Sequence, residues 1–185
     1  MITVVTGNKN KAAEVAAFFS GITEVAHIAF ECIEPQAEDI AEIARAKAEQ
    51  AYAALKIPLI VDDTGLFIET VSGFPGPYAA YVQETLGNNG ILRLMEGAAD
   101  RRAYFATSIA YIDEHGIETF EGRVDGEITT APRGTEGFGY DPVFSVQGRT
   151  LAEMDMDEKN TLSHRARALT AFRDWYISAR SERNR

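Results

Sequence analysis

The sequence predicts an α/β domain built on a mixed sheet, and three observations carry that expectation. In the first half, short apolar runs alternate with segments whose apolar residues recur at helical spacing. The run "IPLIVDD" is almost continuously apolar before its carboxylates, as a strand covered on both faces should be. From Ala103 the pattern changes to two long strand-like arms joined by a tight turn. Strands separated by helices pair in parallel and a hairpin pairs antiparallel, so the sheet should be mixed. The 185 residues fit one domain, 1–185, with enough chain for a proper core.

The elements follow in order. Ile2, Val4 and Val5 form a first strand, and a polar loop of Thr6, Gly7, Asn8, Lys9, Asn10 and Lys11 leads into a helix carrying Val15, Phe18 and Phe19. A weak strand near Glu24–Phe30 precedes the acidic loop "ECIEPQAED". Asp39 caps a second helix whose stripe is Ile40, Ile43, Ala44, Ala48, Ala51 and Leu55. "IPLIVDD" follows as a central strand with Asp62 and Asp63 at its exit, and "GFPGPY" as a rigid turn. Two short helical segments should flank "LGNNGI". The hairpin turns at Asp113–Gly116, and its second arm sets Phe120, Gly122, Val124, Gly126 and Ile128 on one face. A glycine-rich loop, "APRGTEGFGYDPVF", precedes a helix from about Ser163 to Arg180 with Leu169, Phe172 and Tyr176, then a frayed basic tail. There is no internal repeat, low-complexity tract or linker.

With 28 acidic against 18 basic residues the formal charge is -10. Such a surface repels nucleic acid and anionic lipid at long range, which favours a small, locally attracted ligand. The single cysteine, Cys32, excludes an intramolecular disulfide, suits a reducing cytoplasm and is expected to be a small buried hydrophobe. No apolar run approaches the ~20 residues of a membrane span, and no signal peptide is evident, so a cytoplasmic location is expected.

Four stretches could carry chemistry. The loop Thr6–Lys11 joins a strand to a helix N-terminus, where free N–H groups and the helix dipole attract anions. Two lysines there suggest a polyphosphate, although a simply capped turn would look alike and the Walker A spacing is absent. The neighbours Asp62 and Asp63 should point to opposite faces of their strand and so take different jobs, one holding a metal or activating a water. Capping of a turn is the plainer use of Asp62, Asp63 and Thr64. Glu34, Glu38 and Glu42 could complete a metal site; Glu42 falls opposite its helix's apolar stripe, whereas Glu34 lies in a freer loop. "GFGYDPVF" offers Phe138 as a flat face for a base and Asp141 as an acceptor, or else is a packed loop. In "EKNTLSHRARA", Lys159, His164 and Arg165 stand just before and within the first turn of the last helix. Cations there oppose the dipole and call for an anionic or acceptor-rich partner. His27 and His115 stand alone.

Together "TGNKNK", "VDDTGL", "GFPGPY", "GFGYDPVF" and "EKNTLSHR", in this order across residues 6 to 165, resemble the inosine/xanthosine triphosphate pyrophosphatase family, which acts on non-canonical purine nucleotides. "VQETLGNNGI" and the short length are closest to its archaeal-type members. The resemblance implies an elongated α/β fold with two lobes and a cleft between them, a homodimer, and magnesium-dependent hydrolysis of inosine, deoxyinosine or xanthosine triphosphate to monophosphate and pyrophosphate. It implies that Thr6, Asn8 and Lys11 hold the triphosphate, with the backbone of Gly7, Lys9 and Asn10 lining the loop. Asp63 would be the general base and a magnesium contact, with Glu34 the better-aligned metal glutamate and Glu42 its rival, because the family's frequent Pro-Glu pair reads "IEPQAED" here. Thr64 stands where a serine is frequent. Phe138, Gly139, Tyr140 and Asp141 would pack on and read the base, with Lys159, His164 and Arg165 completing its pocket. Donors from His164 and Arg165 would suit a carbonyl at purine position 6 and leave an amino group unpaired. A non-catalytic purine-nucleotide-binding module, and a related pyrophosphatase for modified pyrimidines, are the alternatives.

Overall fold

The computed structural model describes residues 1–183. Its core is one mixed sheet in the order β2-β1-β3-β5-β6-β7-β8, with β4 paired to the free side of β3. The strands are β1 (Ile2–Val5), β2 (Val25–Ile28), β3 (Leu59–Ile68), β4 (Pro75–Gly76), β5 (Arg102–Asp113), β6 (Gly116–Ile128), β7 (Phe144–Val146) and β8 (Arg149–Thr150). The helices are α1 (Lys9–Phe18), α2 (Ile40–Leu55), α3 (Ala79–Thr85), α4 (Gly87–Leu94), α5 (Met156–Leu162) and α6 (His164–Arg183). β1 runs parallel to β2 and β3, and β5 is antiparallel to both β3 and β6. The expected mixed α/β fold is what forms.

Side-chain alternation decides which helix covers which face. Ile60 and Ile109 meet α1 and α6 through Val15, Phe19, Leu169 and Phe172. Leu59, Val61 and Ala110 meet α2 through Ala44, Ala48 and Ala51, the stripe legible in the sequence. Small alanines let that helix lie close to the sheet. A second body of core gathers at the far end of β3, where Leu66, Ile68, Phe105 and Val124 pack with α3, α4 and Phe144. Gly122 and Gly126 take the hairpin face for a reason of space: a Cβ on Gly122 would lie 2.1 Å from the His164 carbonyl oxygen and 2.4 Å from the Ala168 nitrogen, both in α6.

Four expectations need correction. Asp62 and Asp63 are not at a strand exit but mid-strand, because Leu66–Ile68 continue the apolar pattern and β5 pairs with β3 from Leu59 to Ile68. "LGNNGI" is not a loop between two helices; it begins α4, separated from α3 by Leu86 alone. Lys159 lies in a helix of its own, α5, which starts on a capping box of Asp155 and Glu158. Cys32 is half-buried rather than buried, its thiol donating to the Lys47 carbonyl at 3.4 Å. The last helix runs on to Arg183, and the final residues of the basic tail, 184 and 185, lie outside the described residues.

β3 has a strand neighbour along its whole length on the β5 side only. On its other side it meets β1 at Ile60 and β4 at Leu66 and Phe67, so the edge from Asp62 to Gly65 lies open. The loop after β1 faces this opening, and the candidate site is built around it.

Candidate active site

The polar loop is a prepared helix start. Asn8 is the N-cap of α1, its Oδ1 accepting from the Asn10 and Lys11 N–H groups at 2.9 and 3.2 Å, while Thr6 Oγ1 accepts from Asn8 N–H at 3.1 Å. His27 of β2 lies 2.9 Å from the Thr6 carbonyl oxygen, a tie to this loop that an isolated histidine did not suggest. Lys11 turns back to the sheet and meets Asp62 Oδ2 at 3.2 Å.

The adjacent aspartates do separate, as strand alternation requires. Asp62 takes the α1/α6 face, where Arg165 Nε donates to its Oδ2 at 3.0 Å. Burial opposes its charge, but Lys11, Arg165 and Lys47 outweigh burial and hold its carboxyl well below the usual range. Asp63 takes the α2 face, where Lys47 Nζ donates to its Oδ1 at 3.0 Å and to Glu34 Oε1 at 2.6 Å. Burial is the larger influence on Asp63 and pushes its carboxyl up despite Lys47 and Lys11, whereas Asp63 and Glu34 overcome burial to raise Lys47. Asp63 Oδ2 is buried with no partner among the described residues, and so is Oγ of Ser108, the residue paired with Asp63 on β5. A buried carboxylate oxygen left unpaired is costly, and it is available to a cation or a water.

Behind the loop runs a buried chain of alternating charges. Glu14 of α1 is bonded to Arg165 and, at 2.5 Å, to Lys159, whose ammonium also meets Asp141 Oδ2 at 2.7 Å. Arg165 and Lys159 outweigh burial and hold the Glu14 carboxyl down. Asp141 also accepts from the Phe138 N–H at 2.8 Å, so the glycine-rich loop is fastened to α5 and α1 together. His164 is buried, stacked on Phe105 with ring centroids 4.7 Å apart, and its Nδ1 lies 2.6 Å from Thr107 Oγ1. Thr107 Oγ1 is in turn 2.7 Å from Thr64 Oγ1. Burial, then Arg165 and Lys159, hold the imidazole well below its ordinary value of 6.5, so it is neutral.

These groups surround one cavity of about 300 Å³, lined among others by Asn8, Lys11, Thr64, Phe105, Phe138 and His164. Asn10, Gly139, Tyr140, Asp141, Lys159 and Arg165 share its wall. Its far side is α3, through Ala79 and Gln83, so it lies between the two bodies of core. Tyr140 lends only part of its ring; its hydroxyl is spent donating to the Ala79 carbonyl at 2.8 Å. Phe138 is half-buried, with the Lys159 ammonium 4.9 Å from its ring centre. Thr6, Gly7 and Lys9 are at the loop but not in this wall, and Asp63 and Glu34 are reached across the open edge of β3, on the α2 face. A ligand with a flat end and a long anionic end could therefore start in the cavity and cross that edge to Asp63.

Of the glutamates, Glu34 is tied to Asp63 through Lys47, while Glu38 and Glu42 are exposed. No group of three or more histidine, cysteine or acidic side chains converges to hold a metal among the described residues. Sequence reasoning missed Glu14 and Lys47. Glu14 carried a signal, a carboxylate adjoining the buried side of α1; Lys47 sits beside the alanine stripe, where a lysine stem commonly snorkels.

The profile of the Ham1 family matches residues 2–175. A dITP/XTP pyrophosphatase of Saccharolobus solfataricus is 46% identical over 180 residues, spanning 96% of this chain and 94% of that protein. Another from Pyrococcus horikoshii is 44% identical over 178 residues, spanning 94% and 95%. Among solved structures, a HAM1 protein from Coxiella burnetii superposes with a TM-score of 0.83 at 30% identity, covering 96% of this chain and all of that one. The Ham1 protein of Staphylococcus aureus gives 0.81 at 29% identity, covering 96% and 99%.

Proposed function

The chain belongs to the Ham1 family, and from that premise we propose how its cleft divides the work of splitting a nucleotide. It is a nucleoside triphosphate pyrophosphatase for non-canonical purine nucleotides, the inosine, deoxyinosine and xanthosine triphosphates, releasing monophosphate and pyrophosphate. The purine enters the cavity against Phe138 and His164. The triphosphate passes over the open edge of β3 beneath Asn8, Asn10 and Lys11. Asp63, beyond that edge, takes the proton of the attacking water. The observation that carries this reading is the position of Lys11, bonded to Asp62 and therefore one residue from Asp63 along the open edge.

Charge balance supports a metal. Lys11, Lys47, Lys159 and Arg165 are matched by Glu14, Glu34, Asp62, Asp63 and Asp141, four cations against five carboxylates. Such a site has no positive charge to spare for a triphosphate. Two neighbouring carboxylates, one of them with the buried unpaired Oδ2 of Asp63, suit magnesium, which takes few protein ligands and fills its shell with phosphate and water. Glu34 and Asp63 would hold it once Lys47 swings from between them, and the ion would neutralise charge developing on the phosphates. We also propose a homodimer acting in the cytoplasm. No helix among the described residues is long and apolar enough to cross a membrane.

Incubation with magnesium and inosine, xanthosine or modified pyrimidine triphosphates, with separate detection of pyrophosphate and phosphate, tests the reading. Inosine and xanthosine triphosphates should yield pyrophosphate, and Asp63→Asn should lower kcat by at least ~10²-fold, the scale of a lost general base. Release of single phosphate, or tight binding without turnover, would contradict it.

A further inference from the structure

Three of the four carbonyl groups at residues 138–141 accept from backbone N–H groups. Phe138 O accepts from Asp141 N–H at 3.2 Å, and Tyr140 O from the N–H groups of Val143 and Phe144 at 2.9 and 3.1 Å. Asp141 O accepts from Ala152 N–H at 3.1 Å. Gly139 is the exception in kind. Its carbonyl accepts from two side chains of the opposite wall, Gln83 Nε2 at 3.3 Å and Asn88 Nδ2 at 3.0 Å. The left-handed backbone of Gly139, with φ of 63°, belongs to the same arrangement.

The two amides incur a penalty for this. Gln83 Oε1 and Asn88 Oδ1 are both buried and without a partner among the described residues. Turning either amide over would set oxygen against oxygen at Gly139, so the orientation is fixed by the carbonyl they share. One hydrogen bond would tether the loop. Two, each leaving an orphaned acceptor, do something more: they occupy both lone pairs of the one carbonyl among residues 138–141 that accepts from side chains instead of backbone.

We propose that Gln83 and Asn88 are specificity-determining residues that mask the Gly139 carbonyl from an exocyclic amino group. This rests on the purine reading of the cavity given above and supplies a reason for rejecting guanine, which shares the 6-carbonyl with hypoxanthine. A purine seated against Gly139 meets a carbonyl that already accepts two hydrogen bonds. A ring carbonyl loses nothing there, since it needs donors. An amino group turned toward Gly139 is stripped of water and finds both lone pairs of that carbonyl taken, the kind of mismatch that discriminates most sharply. Gln83 and Asn88 act through Gly139 rather than by touching the reacting atoms.

The test is the ratio of kcat/KM for inosine over guanosine triphosphate, in which any uniform loss from a loosened loop cancels. Gln83→Met and Asn88→Ala each remove one donor, and the pair removes both. In the double variant the ratio should fall roughly tenfold, the equivalent of one hydrogen bond of about 1.4 kcal/mol regained by the amino group. Each single variant should fall between that and wild type. Gln83→Leu, which removes the donor with an apolar side chain of different shape, should reproduce the Gln83→Met result and guards against a packing artefact. An unchanged ratio in all variants, with wild type still making inosine monophosphate and pyrophosphate, would overturn the masking role alone. Wild type that fails to cleave inosine triphosphate would instead remove the functional reading, and the proposal with it.

Discussion

His164 shows what one buried side chain does to stability. It enters the folded protein neutral, because burial and the neighbouring Arg165, Lys159 and Lys11 outweigh Asp62 and depress its affinity for a proton. In the unfolded chain it protonates around 6.5. Below that pH the unfolded state binds the extra proton, so stability falls as pH falls, by up to about 1.4 kcal/mol for each unit. The carboxylates Asp62 and Glu14 are held down in the fold, and their stabilisation is lost only as pH drops below their ordinary values of 3.8 and 4.5. Thermal melts between pH 7 and 5 should therefore decline in the wild type and run flatter in His164→Asn; equal slopes would refute this. The residues of this site were legible where they came in short motifs, as at Asn8, Asp63 and Arg165. Glu14 and Lys47 were not, because their partners arrive from other elements and only the folded chain brings Lys159 or Asp63 to them.

Elements place these residues, and one contact between elements does most of it. α6 carries His164 and Arg165 at its start and rests directly on β6 at Gly122. The sequence showed a glycine on the apolar face of the second hairpin arm but not what needed the room. Gly122→Val would force backbone from backbone, a clash that side-chain rotation cannot relieve. The expected result is a loss of about 1–3 kcal/mol in denaturant unfolding, with a parallel loss of activity as His164 and Arg165 shift. Val at Gly87, where a Cβ meets nothing within 4 Å but φ is 62°, separates backbone strain from crowding and should leave the site in place. Helix and strand types were readable because their periodicities are local. The ends of β3 were misjudged because a run of Asp62, Asp63 and Thr64 resembles a turn until cations from α1, α2 and α6 are there to neutralise it.

The molecule as a whole carries a charge of -10, and its cleft offers no net positive field to a nucleotide that is itself a polyanion. Long-range electrostatics should then hinder encounter instead of assisting it. Raising monovalent salt from a few millimolar to about 0.15 M screens that repulsion and should raise kcat/KM at fixed, saturating magnesium. A steep fall would show that the local cations dominate. The overall architecture was legible from the alternation of elements and the hairpin. The site's division across two faces of the sheet was not, since it depends on β1 and β4 each pairing with only a short part of β3.

That interrupted pairing also bears on how the protein keeps from sticking to its own kind. Unsatisfied strand margins recruit foreign strands and seed fibrous assemblies. From Asp62 to Gly65 the open margin is four residues, shorter than a usual strand of about five or six, and charged groups crowd it. Were β1 to detach, the bare margin would lengthen past that threshold, and the gap beside Asp63 would become a seam for polymerisation.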